Sequence, residues 1–492
     1  MDGMVAVATP HPAATRAAAA LLDEGAGAVE AGLAALAVLS VAAPHDCGLG
    51  GDLAALVAPP DGPPVGLDAT GRAPAAATPA RLRAAGHEAV PLYGPFSVTV
   101  PGAVAGWRAL AERFAARPPA ELLAPAIGLA RDGVPVAGDL RTAIETCRDV
   151  LAADPAARSV FLDGVDADGL LRQPDLAATL HRLGEAGFAD FHHGRLAADV
   201  AAGARQAGAL ISEADMGGAT ADFVAPLTLD RGGERIATLP PGLPGPALLA
   251  ALNALEPTAL AGLPEGSTRD YMAQIAAARA GCRALEAARA AGAAAAARNT
   301  VAVVTRDRAG GLAVLMQSLF HWFGAGVMAA GTGVMLQNRG AAFSLTPGRP
   351  DTLAHGRRPP HTLLPTLVTG PRRRLGLGVA GGAAQPQLVQ QILAGLLDRG
   401  LDPAAALARP RWFTGVMDER GDCLHAEIAD RQAVFDALAR EGLAIAPAEP
   451  GIWYMGRAEL VAEIDGVLWA ETDPRGHGAA RVRRARGDDD DG

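Results

Sequence analysis

Apolar residues recur along this chain with two different spacings. Over residues 11–22 and 26–42 they crowd among alanines, and Gly25 and Gly27 interrupt the run. Two helices with a glycine break between them are predicted. The second is apolar nearly all round (Ala31, Leu33, Leu36, Val38, Leu39, Val41), the pattern of a helix buried on every side. It ends at Pro44, ahead of Gly48-Leu49-Gly50-Gly51, and residues 53–57 then read as a strand. In Phe96-Ser97-Val98-Thr99-Val100 apolar and polar residues alternate, which predicts a short strand stopped by Pro101-Gly102. Residues 103–115 read as a helix containing Trp107, and residues 116–260 as mixed helix and polar loop.

Residues 271–298 read as one long Ala/Arg helix, nearly polyalanine over 291–297. The character then changes. Residues 300–305 and 312–319 are apolar and β-branched around a polar turn at 306–311, which predicts a β-hairpin. Residues 375–379 give a third strand, followed by Gly381-Gly382 and a helix over 387–397. Strands framed by helices indicate a layered α/β (α+β) fold. Residues 481–492 pass from arginines to four aspartates and read as a solvated, disordered tail.

Composition narrows the function classes. The length, 492 residues, allows one large domain or two to three ordinary ones. The net charge of −10 argues against a nucleic-acid partner. Half the residues are hydrophobic and 20% charged, so the chain is not disordered overall. The longest apolar candidate, residues 31–44, is too short to span a membrane, and no membrane partner is expected. Met1-Asp2-Gly3-Met4 opens no export signal, so a cytoplasmic location is expected. Cys47, Cys147, Cys282 and Cys423 are widely spaced, and no His/Cys/Asp grouping has metal-ligand spacing. Neither metal nor cofactor is implied. Oligomeric state stays open, a homodimer included.

Two glycine motifs carry candidate chemistry. Gly376-Leu377-Gly378-Val379-Ala380-Gly381 has the GxGxxG spacing of a dinucleotide site, but its glycines fall inside the predicted strand. Gly381-Gly382 reads either as a tight strand-to-helix turn or as an oxyanion hole, where backbone N–H groups approach a reacting carbonyl.

Many motifs in order along the chain resemble the gamma-glutamyltransferase family of N-terminal-nucleophile (Ntn) hydrolases. They include Pro44-His45, Gly48-Leu49-Gly50-Gly51, Gly71-Arg72-Ala73-Pro74, Val100-Pro101-Gly102 through Trp107, and Met316-Gln317-Ser318-Leu319. Further along are Leu336-Gln337-Asn338-Arg339-Gly340, Arg358-Pro359-Pro360-His361-Thr362, Gly381-Gly382 with Gln385-Pro386-Gln387, and Asp473-Pro474-Arg475. The resemblance implies a four-layer αββα sandwich. It implies a large-subunit-like segment over 1–299 and a small-subunit-like segment over 300–480, two fragments of one chain that stay partners after self-cleavage. The new N-terminal threonine is then the nucleophile, and its own α-amine the base. An acyl-enzyme forms on it, and Gly381-Gly382 match the family's oxyanion pair.

The chain departs from the family pattern in ways that bear on its chemistry. Aligned without gaps, the nucleophile position holds Arg298; a two-residue deletion in the strand places Thr300 there instead. Thr300 is the only Ser or Thr between Thr268 and Thr305. Where glutamyl-specific members carry a carboxylate-holding Arg, this chain has Thr70, with Arg72 two residues on. Ala341-Ala342 replace the acidic residue before Phe343, and His361-Thr362 stand for a Ser-Ser pair. The chain is therefore similar to the non-glutamyl branch that includes oxamate amidohydrolase. The resemblance implies Thr300, Gly381 and Gly382 as catalytic residues, and Arg72, Ser318, Arg339, His361 and Thr362 at the substrate. The substrate expected is a small amide or acyl-amino-acid compound. The alternative is an inactive homologue kept as a binding or structural protein.

Overall fold

Strands that are apolar on both faces must be covered on both, and this requirement sorts the chain into stacked sheets. The computed structural model describes residues 3–255, 260, 262–289, 299–415, 423–427 and 431–484. One sheet has seven antiparallel strands, in the order Ala479–Arg484, Met4–Thr9, Asn299–Arg306, Leu312–Phe320, Asp52–Ala58, Val65–Ala69, Asp222–Val224. The other has six, in the order Val467–Thr472, Arg457–Ile464, Arg373–Ala380, Thr366–Thr369, Glu234–Thr238, Leu227–Arg231.

The alternation along Asn299–Arg306 shows how the layers form. Val301 and Val303 join a core with the helices Pro12–Asp23, Ala28–Ala42 and Ala103–Phe114. Ala302 and Val304 turn the other way, into a second core with Val314, Met316, Leu367 and Val461 between the sheets. On the far side Leu375, Leu377 and Val379 pack against Gly245–Ala254 and Gln385–Leu393. The result is the expected four-layer αββα sandwich. Each fully buried Leu or Val stabilises it by ~1.5–3 kcal/mol.

The sheets approach most closely at glycines. A Cβ on Gly378 would lie 2.6 Å from that of Ala302, and one on Gly376 would lie 2.7 Å from Val314 Cγ2. These glycines are spacers within Arg373–Ala380, which has antiparallel neighbours on both sides. The strand carries no phosphate loop, and the dinucleotide reading of GxGxxG is wrong.

Three expectations need correction. Residues 96–100 form no strand: Pro95–Ser97 is a 3-10 turn, and Val98 and Val100 bury themselves in the helical core without a ladder partner. Residues 481–484 are not tail. Ala479–Arg484 pairs with Met4–Thr9, with Ala480 and Val482 facing the inter-sheet core and Arg483 reaching Asp23 on the opposite face. A charge count hides that alternation. The helix expected over 387–397 begins at Gln385 and gives way to a π-turn at Ala394–Asp398. The helix over Thr268–Arg289 is present; residues 290–298, including Arg298, and 485–492 lie outside the described residues.

Candidate active site

Three strands of the seven-stranded sheet meet one edge of the sandwich. Asn299–Arg306 and Asp52–Ala58 begin there, and Leu312–Phe320 ends there. Thr300, Ser318 and Asp52 share the parity of Ala302, Met316 and Ala54, so all three turn into the gap between the sheets. Ser318 is the register partner of Asp52. Thr300 Oγ1 donates to Ser318 Oγ at 3.3 Å, and the Phe320 N–H donates to the same oxygen at 2.9 Å. The ladder slips between Gln317 and Phe320, and Phe320 takes a φ of +82°. Such a backbone costs of order 1–3 kcal/mol in a residue other than glycine, and it concentrates at functional sites.

The second sheet brings the glycine pair to the same edge. Gly376 stacks on Val304 and Gly378 on Ala302, so the two strands run in opposite directions. From Gly378 the strand runs on toward the Thr300 end of Asn299–Arg306, into Ala380 and then Gly381-Gly382. Gly382 has a φ of +54°, which favours glycine, before the chain enters the helix Gln385–Leu393.

The third part of the site is a buried polar network. Arg339 is 1% exposed; its Nη2 donates to Thr362 Oγ1 at 2.8 Å and meets His361 Nδ1 at 3.2 Å. Its guanidinium lies 3.8 Å over the Phe320 ring. His361 Nε2 lies 3.1 Å from Asp52 Oδ2. Burial pushes the His361 imidazole down to about 4, and the Arg339 charge adds to this against the pull of Asp52. At neutral pH the His361–Asp52 contact is thus a hydrogen bond from a neutral ring.

Of the residues singled out in the sequence, Thr300, Ser318, Arg339, His361 and Thr362 gather at this edge, and the strand Arg373–Ala380 runs toward it into Gly381-Gly382. Arg72 does not. Its guanidinium bonds Gly356 O and Thr220 Oγ1 and pairs with Asp222. The Thr70 carbonyl is held instead by Arg358 Nε at 2.9 Å, and both residues line a cavity of about 160 Å³ with Asp68, Pro359 and Pro360, next to His361. Asp52 and Phe320 were missed. The available signal for Asp52 was a single carboxylate heading a wholly apolar strand, since a buried Asp needs partners.

Comparison with known proteins shows which family shares this sequence and fold. The family model for gamma-glutamyltranspeptidase matches residues 14–286 and 271–482. Oxamate amidohydrolase proenzyme of Klebsiella pneumoniae is 32% identical, over 96% of this chain and 97% of its own length. The acylase ACY 1 proenzyme of a Pseudomonas species is 28% identical, over 89% and 86%. The crystal structure of cephalosporin acylase from Bacillus halodurans superposes with a TM-score of 0.86 at 30% identity, covering 98% of this chain and 96% of its own. These relatives and the strand-edge site lead to one assignment: the chain belongs to the gamma-glutamyltranspeptidase family of Ntn hydrolases, whose chemistry is amide hydrolysis and acyl transfer.

Proposed function

We propose that the protein cuts itself between Asn299 and Thr300 and then hydrolyses a small amide carrying an anionic group next to the scissile carbonyl. The observation that carries this reading is the place of Thr300: at a strand end, facing the inter-sheet gap, with Gly378 of the opposite sheet stacked on Ala302 two residues away and its strand running on into Gly381-Gly382. In the cleaved form the Thr300 α-amine takes the proton from Oγ1 as that oxygen attacks the amide carbon. Backbone N–H groups at Gly381-Gly382 stabilise the oxyanion. The amine or ammonia leaves with the proton, and water then hydrolyses the Thr300 ester.

Arg339, with Thr362 beside it, supplies the positive, hydrogen-bonding surface that an acyl carboxylate needs. The residue types favour this over γ-glutamyl recognition, because Ala341 and Ala342 offer no acid for an α-amine. Oxamate, the substrate named for the Klebsiella relative, has the required form, a carboxylate bonded directly to an amide carbon. The inactive-homologue reading rests on Arg298, on the shortened segment before the strand and on the missing carboxylate and amine clamps; relatives named as proenzymes lend it no support.

The test is release of ammonia from oxamate and related α-carboxyl amides. The wild-type protein turns over at least one of them. Arg339→Ala raises KM for the anionic amide by about tenfold or more, the loss of a charge-assisted contact of ~1.5–3 kcal/mol. Equal KM values for the two proteins would remove Arg339 from the acyl site.

A further inference from the structure

We infer that Asp52 is a positioning residue for this site: its carboxylate fixes the tautomer of His361, and through it the placement of Arg339 and Thr362. The inference rests on the acyl-transfer reading above for its consequence in catalysis, but not for its geometry.

Asp52 is fully buried. Its Oδ1 accepts from the Gly71 N–H at 2.6 Å and from Gln337 Nε2 at 2.7 Å, and its Oδ2 faces His361 Nε2 at 3.1 Å. The opposite nitrogen of that ring, Nδ1, meets three donors: Arg339 Nη2 at 3.2 Å, the Thr362 N–H at 3.0 Å and the Leu363 N–H at 3.2 Å. A nitrogen facing three donors must present its lone pair. The ring proton therefore belongs on Nε2, where a buried N–H needs an acceptor, and the acceptor present is Asp52 Oδ2. The bare Nδ1 in turn orients the Arg339 guanidinium over Phe320, with its Nη2 on Thr362 Oγ1.

Asp52 is also the register partner of Ser318, which accepts from Thr300 Oγ1. Asp52 thus joins the row that holds Thr300, through its backbone, to the network that holds Arg339, through its carboxylate.

The substitution Asp52→Asn nearly preserves shape and inverts one bond. Its NH₂ cannot face Gly71, whose N–H also donates. Turning the Gln337 amide would not help, because the Gly71 N–H keeps its direction. The NH₂ must face His361 Nε2, and the ring must then either move or shift its proton to Nδ1, against three donors.

The experiment is side-chain ¹⁵N NMR of His361 in the full-length protein, with steady-state kinetics on the same samples. In the wild type we expect the Nε2–H tautomer at neutral pH. In Asp52→Asn we expect loss of that tautomer signature, with kcat/KM lowered about 10- to 100-fold. A wild-type ring protonated on Nδ1 would overturn the inference, and this measurement needs no variant to fold. So would an Asp52→Asn protein that keeps both the Nε2–H signature and full activity. Should no amide be turned over, the acyl-transfer reading fails while the tautomer result still decides the role of Asp52.

Discussion

Two enclosed histidines of this protein take their protonation states from burial more than from charge pairing. His361 and His192 are both enclosed, and burial pushes each imidazole down to about 4, from 6.5 for a free one. An unfolded chain protonates these rings near 6.5, whereas the folded one does so only near 4. Between those values the unfolded state binds more protons, so stability rises with pH. It is complete above about pH 6.5 and is lost as pH falls toward 4, by up to ~1.4 kcal/mol per pH unit for each histidine. Urea unfolding at a series of pH values checks this; a flat stability across that interval would contradict it. The same burial explains what the sequence concealed. Thr300 stood out as the only Ser or Thr between Thr268 and Thr305, although the ungapped motif pointed to Arg298, and Gly381-Gly382 stood out from their motif alone. Asp52 was not, because its role depends on Gly71, Gln337 and His361, three segments brought together only by folding. Arg72 misled for the opposite reason: its place in a motif is near the site, but its side chain finds Asp222.

At the level of elements, strands could be read where apolar residues dominate a short run. The hairpin of Asn299–Arg306 and Leu312–Phe320 announces itself through two apolar runs and one polar turn. Met4–Thr9 and Ala479–Arg484 depend on distant partners and left weaker traces, whereas the hairpin Leu227–Arg231 with Glu234–Thr238 pairs locally but its part-exposed, charged first strand carries no apolar run. Residues 96–100 have a strand's alternation but no neighbouring ladder. The stacking of the two sheets depends on Gly378, where a Cβ would overlap that of Ala302. Gly378→Ala is therefore expected to destabilise the fold by about 1–3 kcal/mol. Adding Ala302→Gly should recover part of this, since the two sites share one contact. Denaturant unfolding of the single and double variants measures both; a single variant as stable as the wild type would refute the close approach.

On the scale of the whole molecule, the segments before and after Thr300 are woven into the same sheet. Met4–Thr9 lies between Ala479–Arg484 and Asn299–Arg306, and Leu312–Phe320 lies between Asn299–Arg306 and Asp52–Ala58. A cut before Thr300 would sever one connection and leave every one of these ladders in place. The two fragments should therefore elute together in a one-to-one ratio on size exclusion and part only in denaturant; separate elution under native conditions would contradict the interleaved topology. The central claim is that Thr300 becomes an N-terminal nucleophile, and intact mass under denaturing conditions tests it most directly. The account predicts two fragments, of 299 and 193 residues from the 492-residue chain, the smaller beginning with threonine, and a single uncut chain for Thr300→Ala. A wild-type protein that stays at 49.7 kDa on prolonged incubation, or one cut at any other bond, would contradict it.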